Sequence, residues 1–216
     1  MPAIFPKWTN RLPLMVIVGL LLFGASITAG VWYYFTPKYT RVGYQPIQPV
    51  SFSHAVHVDQ LGMDCRYCHS SVEESWYSNI PASSTCMNCH NQVLKDDPRL
   101  ALVRESAATG RPVPWVQIHR LPDFAYFNHS VHVNRGVSCV SCHGRIDQMD
   151  VVYHAQPLSM AFCLDCHRDP APNLRPKDKV TDLAWNPQAH LPADWGEKAV
   201  QAWKVNASQN CSACHR

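Results

Sequence analysis

The chain has 216 residues, 46% of them apolar, and a formal net charge of +3. Its length fits one folded module with a small accessory segment, and so weak a charge gives no reason to expect a nucleic-acid partner. Nine glycines against seventeen prolines favour coil and short α-helices over long helices. No nucleotide fingerprint, phosphate loop or Ser/His/Asp arrangement occurs, so these patterns point to no enzyme class and we predict no catalytic residues.

The first predicted element is an apolar segment, residues 12–35, preceded by Lys7 and Arg11. It contains no charged residue and is long enough to cross a bilayer as a helix. The two basic residues place the N-terminus in the cytoplasm, so the rest of the chain is expected on the periplasmic side of the bacterial inner membrane. A cleaved signal peptide ending at Ala29 is the alternative, but the apolar stretch exceeds the usual core of such a peptide. We therefore favour a permanent anchor.

All ten cysteines lie in one pattern, Cys-x-x-Cys-His, which occurs five times. This spacing lets two thiols form thioethers with one haem while the adjacent imidazole reaches its iron. Zinc sites, redox dithiols and disulfides are alternatives, but none of them requires a histidine after every second cysteine. We therefore expect five haem c groups. The predicted attachment residues are Cys65, Cys68, Cys86, Cys89, Cys139, Cys142, Cys163, Cys166, Cys211 and Cys214, and the proximal iron ligands are His69, His90, His143, His167 and His215.

An internal repeat precedes these motifs. Residues 52–58 read Phe-Ser-His-Ala-Val-His-Val and residues 127–133 read Phe-Asn-His-Ser-Val-His-Val, and each copy is followed by two Cys-x-x-Cys-His motifs. Such matching order indicates two related dihaem units, with the fifth motif as an appendage. The predicted domains are a cytoplasmic N-terminus (1–11), a transmembrane helix (12–35), a Pro-containing linker (36–50), a first dihaem repeat with a connecting helix (51–118), a second repeat (119–170) and a C-terminal extension (171–216).

The connecting helix has its own sequence signals. Asp97 can cap it, Pro98 fits its first position and Gly110 can close it. Leu100, Val103 and Ala107 then fall on one apolar face.

Seven histidines remain for the distal iron positions: His54, His57, His119, His129, His132, His154 and His190. The Phe-x-His-x-x-His pattern puts two imidazoles on successive turns, so that adjacent haems can each take one. We expect His54 and His129 to ligate the haems that follow them directly, and His57 and His132 to ligate other haems nearby. His119 and Met160 are further candidates, a thioether ligand being one that raises the haem potential. The residues leave the roles of His154 and His190 open.

The chain resembles the pentahaem cytochrome c subunit of alternative complex III, a bacterial quinol-oxidising complex. The resemblance spans nearly the whole chain and is carried by the anchor, the five motifs and residues 121–133 and 158–168. It implies class III-like dihaem repeats in a multihaem cytochrome c fold, and a methionine ligand at Met160 for the fourth haem. It also implies electrons received from an iron–sulfur partner, passed to a monohaem cytochrome c or oxidase, with the quinol site on other membrane subunits. A self-contained quinol dehydrogenase and a multihaem reductase are the alternatives.

Overall fold

In a computed structural model of the chain, the structure describes residues 5–35 and 41–215. The chain divides into two compact units, one up to Thr40 and one from Arg41 onwards. Residues 36–40, the first part of the predicted linker, lie outside the described residues. The α-helices are α1 (Leu12–Phe35), α2 (Cys65–Cys68), α3 (Ser83–His90), α4 (Ala101–Thr109), α5 (His129–Val133), α6 (Cys139–His143), α7 (Met160–Arg168), α8 (Pro187–His190), α9 (Trp195–Ala202) and α10 (Cys211–Cys214).

The first unit is built on helix α1, which has the predicted bounds and follows a 3₁₀ turn at Lys7–Arg11. It is the one helix in the described residues that is long and apolar enough to cross a membrane. Its two mid-helix hydroxyls return to the backbone, Ser26 to Leu22 O at 2.8 Å and Thr28 to Gly24 O at 2.9 Å. These bonds matter in lipid, because no water is available there to satisfy a polar group.

The second unit consists of coil and short helices, as the composition predicts. Within residues 41–215 no strand forms, and the only bridges are Ala125 with His215 and Val137 with Leu174. Short 3₁₀ turns (Pro98–Leu100, Ile146–Gln148, Ala171–Asn173, Lys177–Lys179) and one π-helical turn (Ala55–Gln60) complete the set. The predicted fold class of short helices, coil and one N-terminal apolar helix is confirmed.

The described part of the predicted linker, residues 41–50, belongs to the second unit and is hydrogen-bonded to distant parts of it. Gly43 N donates to His154 O at 2.8 Å, and His154 N donates to Tyr44 O at 3.0 Å. Further along, the Gln48 side chain donates to Val116 O at 2.8 Å and accepts from Val116 N at 2.9 Å. Residues 41–50 are therefore a fixed part of this unit.

The connecting helix forms as a 3₁₀ turn, Pro98–Leu100, that runs into α4, and the two together have the predicted ends. Asp97 accepts from the backbone N–H of Arg99, and Gly110 ends the helix with φ +74°. Val103 is buried with Val50 and Val113 in a small apolar cluster. The predicted face is wrong at Ala107, which is exposed, because Ser106 is buried in its place and its hydroxyl is satisfied by Ser83 and the Arg111 carbonyl.

Gly62 and Gly136 occupy the same place in the two repeats, and both have positive φ, +69° and +82°. A Cβ on Gly62 would meet nothing within 4 Å, whereas on Gly136 it would lie 2.5 Å from Arg175 O and 2.9 Å from the Trp203 ring. Gly62→Ala should therefore lower the free energy of unfolding by only about 1 kcal/mol, because alanine is strained in the left-handed backbone conformation. Gly136→Ala adds a steric clash with backbone that cannot move freely, and we expect it to cost about 3 kcal/mol or more.

Thermal unfolding of the two haem-loaded variants checks this expectation. Equal losses of Tm would contradict the packing of the second repeat against Arg175 and Trp203.

Candidate haem-binding sites

Each Cys-x-x-Cys-His motif is a short helical turn, or the end of one. Cysteines at i and i+3 and a histidine at i+4 lie on the same side of a helix, so both sulfurs and the imidazole face one direction. Side-chain caps start most of these turns: Asp64 for α2, Ser138 for α6, Ser159 for α7 and Asn210 for α10. Ordinary helix capping thus holds the three functional atoms of a motif together before any cofactor binds.

Four of the five proximal histidines have Nδ1 fixed by a backbone carbonyl. The distances are 2.6 Å from His69 to Asn79 O, 2.9 Å from His90 to Val93 O, 2.6 Å from His167 to Ser208 O and 3.2 Å from His215 to Phe124 O. A carbonyl oxygen can only accept, so Nδ1 carries the proton and Nε2 keeps its lone pair for a metal. In the fifth, His143, the Nδ1 atom is buried and has no hydrogen-bond partner.

The two Phe-x-His-x-x-His segments have nearly the same local geometry. Phe52 stacks on His57 and Phe127 on His132, in both cases with ring centroids 4.4 Å apart. Nδ1 of each of these histidines donates to the carbonyl four residues earlier, His57 to Ser53 at 2.8 Å and His132 to Asn128 at 2.7 Å. The phenyl ring and the carbonyl together fix the imidazole, leaving Nε2 available. One difference is that the first segment forms a π-helical turn and the second an α-helix.

Three predicted distal histidines face proximal ones at a metal-sharing distance, meaning the ring separation of two imidazoles that bind one metal from opposite sides. The ring centroids are 6.3 Å apart for His57 and His90, 6.5 Å for His129 and His143, and 6.1 Å for His132 and His167. Two imidazoles that each place a nitrogen about 2.0 Å from one shared metal have centroids about 6.3 Å apart. The residues present therefore fit haem iron with two axial imidazoles. In the described residues, His69 and His215 are not brought to this separation from another histidine.

His54, the remaining member of the repeated pattern, is half-buried beside His69. Burial, followed by the neighbouring His69 imidazole, lowers the pKa of His54 to about 4. Its Nδ1 has no hydrogen-bond partner. The imidazole is therefore neutral at pH 7, which is the form that binds a metal.

His119 and His154 form a second buried group beside His143. The His119 ring lies edge-on to His143 at 4.4 Å and is stacked on His154 at 5.1 Å. Burial and the neighbouring His154 lower the pKa of His119 to about 4. His154 is only 1% exposed, a position that the sequence did not reveal because His154 belongs to no repeat. At 4.4 Å, His119 and His143 are too close to share an iron between them.

Met160 begins helix α7 and is 64% exposed. The proximal histidine of that helix, His167, is already faced by His132 at 6.1 Å. The geometry thus favours imidazole over the Met160 thioether at the fourth site.

The attachment helices form a continuous series in the order α3, α2, α6, α7, α10. Asn88 of α3 donates to the Tyr67 hydroxyl of α2 at 3.1 Å. The adjacent residues Val180 and Thr181 join α2 to α6: Thr181 donates to Asp64, the cap of α2, at 3.1 Å, and Val180 O accepts from Ser138, the cap of α6, at 2.7 Å.

The series continues through helix α5, which presents His129 to α6 and His132 to α7. From α7, His167 donates to Ser208 O at 2.6 Å, a few residues before α10. Neighbouring thiols follow the same order: Cys68 with Cys86, Cys65 with Cys139, Cys142 with Cys163, and Cys163 with Cys214.

The ten cysteines are free thiols in the polypeptide. Burial raises the pKa of Cys142 to about 12, and burial likewise raises the pKa of Cys68, Cys86, Cys163 and Cys166. Zinc ligands and redox dithiols need the thiolate, which a lowered pKa favours. Within residues 5–35 and 41–215 no group of three or more His, Cys, Asp or Glu side chains is arranged to hold a bare metal ion. The raised pKa values argue against thiolate chemistry at these five positions, whereas a hydrogen bond to Cys139 lowers the pKa of Cys65.

Motifs of this kind, on short helices with facing imidazoles, define a multihaem c-type cytochrome with haem c as its cofactor. Residues 56–216 match the family model described as outer membrane cytochrome MtrC/MtrF-like, domains II/IV. The chain belongs to this family. It is also similar to the menaquinone reductase, multiheme cytochrome c subunit, of Nitratidesulfovibrio vulgaris, with 28% identity over 80% of this chain and 78% of that protein.

Proposed function

We propose that this chain is a membrane-anchored electron relay with five haem c groups, acting as a subunit of a quinone-linked respiratory complex. The observation that carries the proposal is the continuous series of attachment helices from α3 to α10. A relay requires successive sites in contact, and each neighbouring pair in this series is joined by hydrogen bonds or by two imidazoles on one helix. The bound haems supply a reversible one-electron iron couple.

We propose the ten motif cysteines as the haem attachments and the five motif histidines as the proximal ligands. His54, His57, His129 and His132 are proposed as distal ligands to the irons of His69, His90, His143 and His167, in that order. The support is the three metal-sharing distances and the burial of His54 beside His69. His119 and Met160 stay predictions from the sequence.

The polypeptide keeps the imidazoles of His54, His129 and His132 neutral. Burial lowers the pKa of His129 and His132 as well as that of His54, so none of them must lose a proton before it binds iron at pH 7. His129 also donates from Nδ1 to Trp76 O at 2.8 Å, a contact from the first repeat to the second. At the three sites with a facing imidazole pair, both histidines would hold the iron and leave no open position for a substrate, which favours a relay over a reductase.

The proposed setting is the inner membrane, with the haem unit on its periplasmic side. The resemblance to alternative complex III supports an iron–sulfur partner as electron donor and a monohaem cytochrome c or oxidase as acceptor, with quinol-binding membrane subunits nearby. Ala25 and Ala29 on α1 have a small-xxx-small spacing that permits close packing against a neighbouring helix.

The relay proposal predicts that the isolated subunit has no quinol turnover. Stopped-flow absorbance would follow haem reduction by a quinol analogue, with and without the partner subunits, and a chemical reductant would serve as the control for haem competence. We expect reduction by the chemical reductant in both samples and by quinol only in the complex. Rapid, saturable reduction of the lone subunit by quinol would contradict the relay and favour the self-contained quinol dehydrogenase.

A second candidate is flow in the opposite direction, towards the quinone. It is favoured by the name of the relative, a subunit of a menaquinone reductase. Activity of the intact complex distinguishes the two directions. If electrons leave the quinol through this chain, the complex should reduce cytochrome c with menaquinol. If electrons reach the quinone through this chain, the complex should reduce menaquinone with a reduced soluble donor.

A further inference from the structure

Residues 185–190 repeat the local design of the two ligand-bearing segments. They read Trp-Asn-Pro-Gln-Ala-His, beside Phe-Ser-His-Ala-Val-His and Phe-Asn-His-Ser-Val-His. An aromatic residue stands five positions before the final histidine in each, and a small polar residue follows the aromatic. The third segment differs mainly in the first histidine, which is replaced by Pro187.

The geometry of this segment follows the sequence. The Trp185 ring is stacked on His190 with centroids 5.5 Å apart and 21° between planes, as Phe52 is stacked on His57 at 25°. Nδ1 of His190 lies 2.8 Å from Asn186 O, four residues earlier, as Nδ1 of His132 does from Asn128 O.

The polar residue also caps each segment. Asn186 accepts from the backbone N–H of Gln188 at 3.0 Å, and Ser53 accepts from that of Val56 at 3.1 Å. His190 is exposed, and its Nε2 keeps a lone pair for a metal because Nδ1 holds the proton.

The number of histidines in each segment equals the number of attachment motifs that follow it. The first two segments have two histidines and are each followed by two motifs, whereas the third has one histidine and is followed only by Cys211–His215. The final histidine of the first two segments faces the proximal histidine of the last motif in its unit, His57 with His90 and His132 with His167. The same rule pairs His190 with His215.

We propose that His190 is the distal iron ligand of the haem attached at Cys211 and Cys214, and that residues 185–215 are a shortened third unit. The structure does not bring the His190 and His215 rings to the separation seen in the other three pairs. The assignment is therefore argued from the repeated segment and from the equal numbers of histidines and motifs. It depends on the proposed haem at Cys211 and Cys214, but not on the proposed route or direction of electron transfer.

The test is electron paramagnetic resonance of the haem-loaded His190→Ala variant, with haem content measured by intact mass. We expect an unchanged haem count and the conversion of one low-spin haem to high spin. The matched control is Gln188→Ala, an exposed residue on the same helix as His190 that is not a candidate ligand, and it should leave every haem low-spin. His190→Met is the second variant: a thioether should keep the haem low-spin and raise its potential.

Location is tested by combining His190→Ala with Cys211→Ser and Cys214→Ser, which remove the haem in question. We expect His190→Ala to add no high-spin signal in that background. A parent protein that lacks a haem at Cys211–Cys214 would overturn the proposed haem set, whereas a fully loaded His190→Ala variant with an unchanged spectrum would overturn the His190 assignment alone. A new high-spin signal in the combined variant would place His190 on another haem and equally overturn it.

Discussion

Replacing His129 with alanine is expected to convert one low-spin haem to high spin while all haems stay attached. The reason is that His129 faces His143 at 6.5 Å with rings only 13° from parallel, and alanine offers no atom to take the iron position. Electron paramagnetic resonance and the optical spectrum of the folded variant measure the change.

The matched control is Val131→Ala, which lies on the same helix and is 56% exposed. It should leave every haem low-spin. A His129→Ala variant that is folded, fully loaded and spectrally unchanged would remove His129 from the ligand set.

The second large effect is expected from removing the haem attachment at α6. Cys139→Ser with Cys142→Ser empties a site in the middle of the series, where His143 contacts His119 and Ser138 is 1% exposed. A cavity in that position and unpartnered buried imidazoles should lower the free energy of unfolding by more than about 3 kcal/mol. We expect a several-fold drop in folded protein and a much lower Tm.

The control for this variant is the same pair of changes at α10, Cys211→Ser with Cys214→Ser. Cys211 is exposed, and α10 lies at the end of the series, so the cost should be about 1 kcal/mol. Circular dichroism melting of both variants provides the comparison. An α6 variant as stable as the α10 variant would contradict the central position of α6.

Local chemistry made much of this site predictable. The Cys-x-x-Cys-His spacing predicts a helical turn at each motif, because residues three and four apart lie on one side of a helix, and the structure has such a turn at all five motifs. The repeat likewise predicts that His57 and His132 serve haems beyond the nearest motif, and the structure places their rings 6.3 Å from His90 and 6.1 Å from His167. The apolar helix at Leu12–Phe35 was predictable because hydropathy and length are local properties.

Tertiary packing accounts for what the sequence could not provide. Nothing local to His154 indicated its burial against His119, because that position is set by backbone bonds to Gly43 and Tyr44, more than a hundred residues away. Tertiary packing also explains why Ser106, and not the predicted Ala107, lies on the buried face of α4, since Ser83 on another segment hydrogen-bonds to the Ser106 hydroxyl. The third ligand segment was hidden because its aromatic is Trp185 and its first histidine is Pro187, a resemblance that became visible in the stacking and hydrogen-bond geometry.

The central claim is that every cysteine of this chain holds a haem in one continuous relay. Intact mass spectrometry of the denatured, fully matured protein tests it most directly, because thioether bonds survive denaturation and non-covalent cofactors do not. The account predicts the mass of the polypeptide plus five haems. A fully matured protein carrying fewer than five would contradict it.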